Sequence, residues 1–261
     1  MGPRRCSGGV PLRLHMYVDE RQMTAATVES YASLLKETLP DVRARITEAA
    51  RSANRDPAEI TLVGVTKGHP FEAVQAALAA GIADLGENRV DELEGKRAEL
   101  GPISGRWHFI GHIQSRKAGR AVAASDVIHS IDSVKLAGKV ARAGEDREVP
   151  VPVLVQVNTS GEGAKGGLEG DRRLEELHQI AESPSLRVLG LMTMAPFVED
   201  ERVLTHAFGG LRELSERVRS VSDRIGPELS MGMTNDLEIA IREGSTMVRI
   251  GTALFGERVG A

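Results

Sequence analysis

Eight short apolar runs, each followed by a segment with helical spacing, succeed one another along this chain, and that strict alternation restricts the fold more than any other feature. The runs are ITLVGVTK from residue 60, IADLGEN from 82, RWHFIGH from 106, DVIHSID from 126, VPVLVQVN from 151, LRVLGLMTM from 186, ELSMGMT from 228 and TMVRIGTAL from 246. Between them lie amphipathic helix candidates such as FEAVQAALAAG from 71, SVKLAGKVARAG from 133, DRRLEELHQIAES from 171 and DERVLTHAFGGLRELSERVRSVSDRIG from 200. A leading helix is expected from Val28 to Arg51, where Leu34, Leu35, Leu39, Val42, Ile46 and Ala49/Ala50 recur at three- and four-residue steps, and Pro40 is expected to kink or divide it. No Gly/Ser/Pro-rich linker breaks the series. The pattern predicts an α/β fold, a single closed (β/α)8 TIM barrel with an extra N-terminal helix, over an open doubly wound sheet. Residues 28–261 are assigned to that barrel. Residues 1–27 show neither the apolar h-region of a working signal peptide nor regular periodicity, and are expected to be a disordered or loosely attached leader.

A barrel of this kind gathers side chains from several strands only at the rim where strands end and βα loops begin, so chemistry is sought there. The predicted strand ends offer Lys67, Glu87 and Asn88, His112, Asp132, Asn158 and Thr159, Met192 to Met194, Thr234 and Asn235, and Arg249 to Thr252. Lys67 lies on the same side of its strand as Val63 and Val65. An inward lysine must be solvated, paired or used, because burying an unpaired ammonium depresses its pKa towards neutrality and leaves a nucleophile. Alone, Lys67 reads as a strand-end lysine whose head reaches water.

Its company is at the far end of the chain. In SMGMTNDLE, Thr234 or Asn235 is placed as a helix N-cap with Glu238 at capping-box spacing, and RIGTALFG brings Gly251 and Thr252 to the end of the last strand. The loops after strands 7 and 8 are where such barrels commonly hold a phosphate. Closure makes strands 1 and 8 neighbours, so a lysine, a phosphate cradle and Arg249 converge. That set names pyridoxal 5′-phosphate, with an aldimine at Lys67, the phosphate on the two turns and Arg249 facing the pyridine nitrogen. An arginine there keeps its proton, which weakens the electron sink and argues against transaminase chemistry.

Composition excludes other classes. A net charge of −4, with one Trp, two Tyr and five Phe, supplies neither a basic footprint nor a stacking surface for nucleic acid. The single cysteine, Cys6, cannot form an intramolecular disulfide, and no apolar stretch is long enough to span a membrane, so a cytoplasmic location is expected.

The motifs VTKGHP, LGENRVDE, WHFIGHIQSRK, HSID, VNTSGEGAKGG, LGLMTM and LSMGMTND, followed by GSTMVRIGTALFGER, resemble those of the pyridoxal phosphate homeostasis protein family, over about residues 28 to 258 and in family order. Its fold is similar to the barrel domain of bacterial alanine racemase. The resemblance implies that Lys67 is the Schiff-base lysine and Arg249 the pyridine-nitrogen partner. It also implies that Thr234, Gly251 and Thr252 lie at the phosphate and that Asn88, Met231 and Gly232 line the pocket. It further implies a carrier or regulator of the intracellular vitamin B6 pool, without an established reaction, whose possible partners are apo forms of pyridoxal phosphate enzymes. Thr66 and Thr234 stand where serine is usual, and Arg89 where tyrosine is common.

A pyridoxal phosphate-dependent amino-acid racemase is the alternative. It needs a base on each face of the cofactor, and the only tyrosines, Tyr17 and Tyr31, precede the predicted barrel, so a carrier is the expectation. A metal-dependent barrel hydrolase using His108, His112 and His129 is a remote reading, since no carboxylate ligand pattern accompanies them; no metal is expected. The glycine-rich GEGAKGG, 161 to 167, is read as a mobile rim loop in which Lys165 is solvated, and the polar outer helix faces suggest a monomer.

Overall fold

The apolar runs become parallel strands that close into one ring. A computed structural model describes residues 27–101, 105–159, 166–170 and 172–258. Within them the strands are β1 Thr61–Val65, β2 Asp84–Glu87, β3 Arg106–Phe109, β4 Val127–Ile131, β5 Val151–Gln156, β6 Leu186–Met192, β7 Ile225–Ser230 and β8 Met247–Ile250. Each pairs with its sequence neighbours, and β1 pairs with β8 in a register that sets Val63 opposite Arg249 and Gly64 opposite Ile250. The helices are α1 Val28–Ser52, α2 Phe71–Ala79, α3 Val90–Leu100, α4 Ala118–Ala124, α5 Val134–Ala143, α6 Arg173–Ala181, α7 Glu201–Arg219, α8 Leu237–Arg242 and α9 Thr252–Phe255. The expected leader lies, apart from Thr27, outside the described residues, as does most of the glycine-rich loop with Lys165.

Alternation along the strands sorts their side chains into two layers. Leu85, Trp107, Phe109, Ile128, Val248 and Ile250 belong to the large core between ring and helices. Val127, Leu154, Met192 and Met247 form a separate small cluster inside the ring. By the same alternation, His108, His129, Ser230 and Arg249 point inward, so the barrel interior is part apolar plug and part polar. Met192 therefore serves packing, as does Met194, which is partly buried against the same cluster.

Helix α1 opens with a reciprocal cap: Thr27 Oγ1 accepts from the Ser30 amide at 3.2 Å, and Ser30 Oγ from the Thr27 amide at 3.0 Å. Of the two effects expected of Pro40, a kink or a division, the helix shows no division: α1 is continuous from Val28 to Ser52. Pro40 and Lys36, whose carbonyl loses a donor to the proline, are both exposed, so water satisfies that carbonyl. A second difference lies before β7. Helix α7 stops at Arg219, and the strand begins at Ile225 rather than 228, because Gly226 and Pro227 fit a register shift between Val188↔Ile225 and Gly190↔Glu228. Among the described residues no helix is long and apolar enough to cross a membrane.

Helix α1 also clasps the end of the chain. Arg45 donates to Glu238 at 2.6 and 3.1 Å and to the Thr234 carbonyl at 2.7 Å, while Thr38 Oγ1 donates to the Leu254 carbonyl at 3.0 Å. Arg55 Nη1 reaches the carbonyls of Ile241 and Ser245 at 2.9 and 2.8 Å.

Candidate functional site

Lys67 sits two residues past the end of β1, half-buried, in a turn closed by the His69 amide on the Thr66 carbonyl at 3.0 Å. Both of its chain neighbours are tied down. Lys96 on α3 donates to the Thr66 carbonyl at 2.8 Å, and the Gly68 amide donates to Glu92 Oε2 at 3.1 Å. Thr66 Oγ1 donates to Glu87 Oε1 at 2.6 Å, and Lys96 Nζ meets the same oxygen at 2.6 Å. Glu87 is fully buried with Oε2 unpartnered, and burial pushes its pKa up against the opposing pull of Lys96 and Thr66. Helix α3 thus braces the Lys67 turn through a buried ion pair.

Around the Lys67 amine the charges are mostly positive. Burial lowers its pKa most, and Arg258 and Arg249 lower it further, while Glu87 opposes them. Arg258 packs on the turn itself, since a Cβ at Gly68 would lie 3.1 Å from its Cδ. More of this amine is neutral at physiological pH than of a free lysine. Arg258→Met is expected to move the Lys67 titration midpoint upward, read as the pH dependence of its acylation rate by peptide mass mapping. An unchanged or lower midpoint would show that Arg258 does not act on the amine.

Arg249 is buried on β8, and burial brings its pKa down to about 10, with Asp236 opposing. Its Nη1 donates to Ser230 Oγ at 2.7 Å and its Nη2 to the Thr193 carbonyl at 3.0 Å. The turn after β7 is locked to β8, with the Met231 amide on the Met247 carbonyl at 3.1 Å and the Arg249 amide on the Gly232 carbonyl at 3.0 Å. Gly232 has φ of 96°, and a Cβ there would stand 2.7 Å from that of Ala240, so only glycine fits. Gly251 presses on β1, where a Cβ would lie 3.3 Å from the Val65 carbonyl oxygen. Thr252 opens α9, whose first amides have no acceptor within the helix.

Lys67, Arg249, Met231, Gly232, Thr234, Gly251 and Thr252 therefore share the β7–β8–β1 side of the rim, and Asn88 follows β2 beside it. One detail differs from expectation. The N-cap of α8 is Asp236, not Thr234 or Asn235. Its Oδ1 accepts from the Met233 amide at 2.5 Å, and Glu238 is taken by Arg45 instead of completing a capping box. Thr234 and Asn235 form the preceding turn.

The histidines do not converge. His108 and His129 are fully buried and bonded to each other at 2.7 Å, whereas the His112 side chain is 74% exposed and pairs with Asp132 at 3.2 Å. Among the described residues, no group of three or more His, Cys, Asp or Glu is placed to hold a metal. Tyr31 lies closer to the site than its place ahead of the barrel implied: it is buried, with its hydroxyl 3.0 Å from His69 Nδ1. Thr159 bonds the Thr193 hydroxyl at 2.9 Å, and Asn158 donates to Glu169 at 3.0 Å.

Sequence reasoning missed Lys96, Glu92, Ser230 and Arg258. Lys96 left a trace, because it falls on the buried stripe of α3 with Val90, Leu93 and Leu100. Glu92, Ser230 and Arg258 fall within LGENRVDE, LSMGMTND and GTALFGER, but nothing in those stretches assigned them a partner.

The family model described as alanine racemase, N-terminal domain, matches residues 38–259. A pyridoxal phosphate homeostasis protein of Pseudomonas aeruginosa is 43% identical over 227 residues, covering 87% of this chain and 96% of the relative. PipY of Synechococcus elongatus, solved with PLP bound, superposes with a TM-score of 0.72 at 34% identity, covering 81% of this chain and 100% of PipY. An alanine racemase of Clostridium difficile shares the fold, with a TM-score of 0.70 at 13% identity, covering 88% of this chain and 58% of the racemase.

Proposed function

The chain belongs to the pyridoxal phosphate homeostasis protein family, on the alanine racemase N-terminal barrel, and from that premise we propose that it binds pyridoxal 5′-phosphate at its rim and helps hold the intracellular vitamin B6 pool. The observation that carries this reading is an amine of lowered pKa set between two arginines at the mouth of the barrel. Such a cluster is short of negative charge, and a phosphate dianion supplies it. Pyridoxal 5′-phosphate brings an aldehyde reactive towards neutral amines, a ring nitrogen that accepts a hydrogen bond, and that phosphate.

Lys67 Nζ is the attachment point, held in place because the residues on either side of it are fixed by α3. Arg249 presents a guanidinium anchored by Ser230 and Thr193, and it holds its proton at a ring nitrogen. Thr234, Gly251 and Thr252 surround the phosphate, Arg258 offsets its charge, and Asn88, Met231 and Gly232 complete the wall. Close backbone approach at Gly232 and Gly251 leaves no space for side chains at the cradle. Holding rather than turnover is favoured by Tyr31, the one tyrosine among the described residues: burial, and then Glu72, raise its pKa, which disfavours the phenolate that a second base would use. Apo forms of pyridoxal phosphate enzymes are the acceptors this reading suggests.

The test is an absorption spectrum of the purified protein with and without added pyridoxal phosphate, followed by borohydride reduction and peptide mapping. A visible band fixed onto Lys67 is expected. A protein that stays colourless and unmodified in excess cofactor would overturn the reading.

A further inference from the structure

Inside the ring, a line of buried polar side chains leads away from Arg249 towards the opposite end of the barrel. Arg249 Nη1 lies 2.7 Å from Ser230 Oγ, and Ser230 Oγ lies 2.9 Å from His129 Nδ1. His129 Nε2 lies 2.7 Å from His108 Nδ1, and His108 Nε2 lies 2.8 Å from Asp84 Oδ1. Ser230, His129 and His108 are wholly buried, on β7, β4 and β3, whereas Asp84 begins β2 and lines an open cavity of about 390 Å³ at the end of the barrel away from Lys67.

With both imidazoles neutral, the donors along this line can be assigned from its two ends. A guanidinium has no acceptor, so Arg249 donates to Ser230. At the other end an ionised Asp84 accepts, so with both rings neutral the serine hydrogen points to His129 Nδ1, which is unprotonated. A neutral His129 carries its proton on Nε2 and donates it to His108 Nδ1. His108 then carries its own on Nε2 and donates to the Asp84 carboxylate. One assignment satisfies all four bonds with both imidazoles neutral, a carboxylate at one end and a guanidinium at the other. Both rings cannot be protonated together, because two N–H groups would face each other across 2.7 Å. Burial also holds the His129 pKa well below the usual histidine value, with His108, Arg249 and Arg106 adding to it.

We infer that Ser230, His129, His108 and Asp84 are positioning residues that orient the Arg249 guanidinium through one directed hydrogen-bond chain across the barrel interior. The chain tells the arginine which way to present its remaining N–H groups. Its relevance to cofactor binding rests on the reading above, but its direction does not.

Two measurements test it. Imidazole nitrogen NMR of the protein without cofactor is expected to show His108 and His129 both as the Nε2–H tautomer, and Asp84→Ala to leave them as a mixture. An Nδ1–H tautomer at His129 in the parent protein, or no response to Asp84→Ala, would overturn the chain whatever the protein binds. Titration with pyridoxal phosphate is expected to show about tenfold weaker binding and a displaced visible band for Ser230→Ala, with Ser230→Thr restoring both. If Ser230→Ala does not fold, His129→Gln replaces it, with the same expectation. Parent-like affinity and band in a folded variant, alongside a parent protein labelled at Lys67, would overturn the positioning role. A parent protein that takes no cofactor would overturn the proposed function instead and leave the tautomer result standing.

Discussion

Lys67→Ala is expected to lose all borohydride-fixable pyridoxal phosphate while unfolding at the same or slightly higher denaturant concentration than the parent protein. The first part follows from placement. Lys96, the lysine that α3 brings to this region, already spends its head group on Glu87 and the Thr66 carbonyl, so it is not a ready replacement for the Lys67 amine. The second part follows from electrostatics. Burial together with Arg258 and Arg249 disfavours the Lys67 ammonium, so its removal relieves repulsion rather than breaking a bond. Reduction with mass analysis and a urea titration read the two effects separately. Full retention of reducible cofactor by the variant would place the attachment elsewhere, and a large loss of stability would make Lys67 a structural residue.

Lys96→Met should cost about 3–5 kcal/mol of stability, the penalty for stranding one member of a buried ion pair. Glu87 is fully buried, and one of its oxygens already has no partner. Without Lys96 the carboxyl loses the strongest influence holding its pKa down, so burial raises that pKa further. A group whose pKa is raised on folding binds its proton more tightly in the folded state. Its contribution is therefore present at low pH and lost as pH rises through the folded value. The deficit of Lys96→Met should accordingly shrink in mild acid and grow towards neutral pH. The double variant Glu87→Gln with Lys96→Met removes the stranded charge and should recover most of the loss, since paired removal of a buried ion pair is often near neutral. Urea unfolding at two pH values reads all of this, and a pH-independent loss below about 1 kcal/mol would show that the pair does not brace the turn.

The ring and most of the rim were legible because they rest on repetition and on strand parity. Eight runs gave eight strands, and the parity of Val63 and Val65 placed Lys67, just as closure of the ring placed Arg249 beside β1. What escaped the sequence depends on contacts between segments far apart in the chain. Arg45 takes Glu238 from the expected capping box, and with the cap shifted to Asp236 the turn at Thr234 is held by the Asp236 carboxylate on the Met233 amide and by Arg45 of α1 on the Thr234 carbonyl. The histidines of β3 and β4 left a metal only as a remote reading, because spacing shows which residues share a face. It does not show that two rings will satisfy each other, with a serine from β7 and an aspartate from β2 completing the line.

The clasp of α1 over the chain's last helices bears on the order in which a ribosome releases this polypeptide. Lys67 and the helix that braces it emerge well before Arg249, Gly251 and Thr252, which lie on β8 and α9, and the ring cannot close until β8 docks on β1. Arg45 and Thr38 on α1, and Arg55 just after it, wait for carbonyls and a carboxylate that are translated much later. A nascent chain therefore displays Lys67 before the β7–β8 side of the rim stands behind it, and the barrel mouth is whole only once its first and last strands have met.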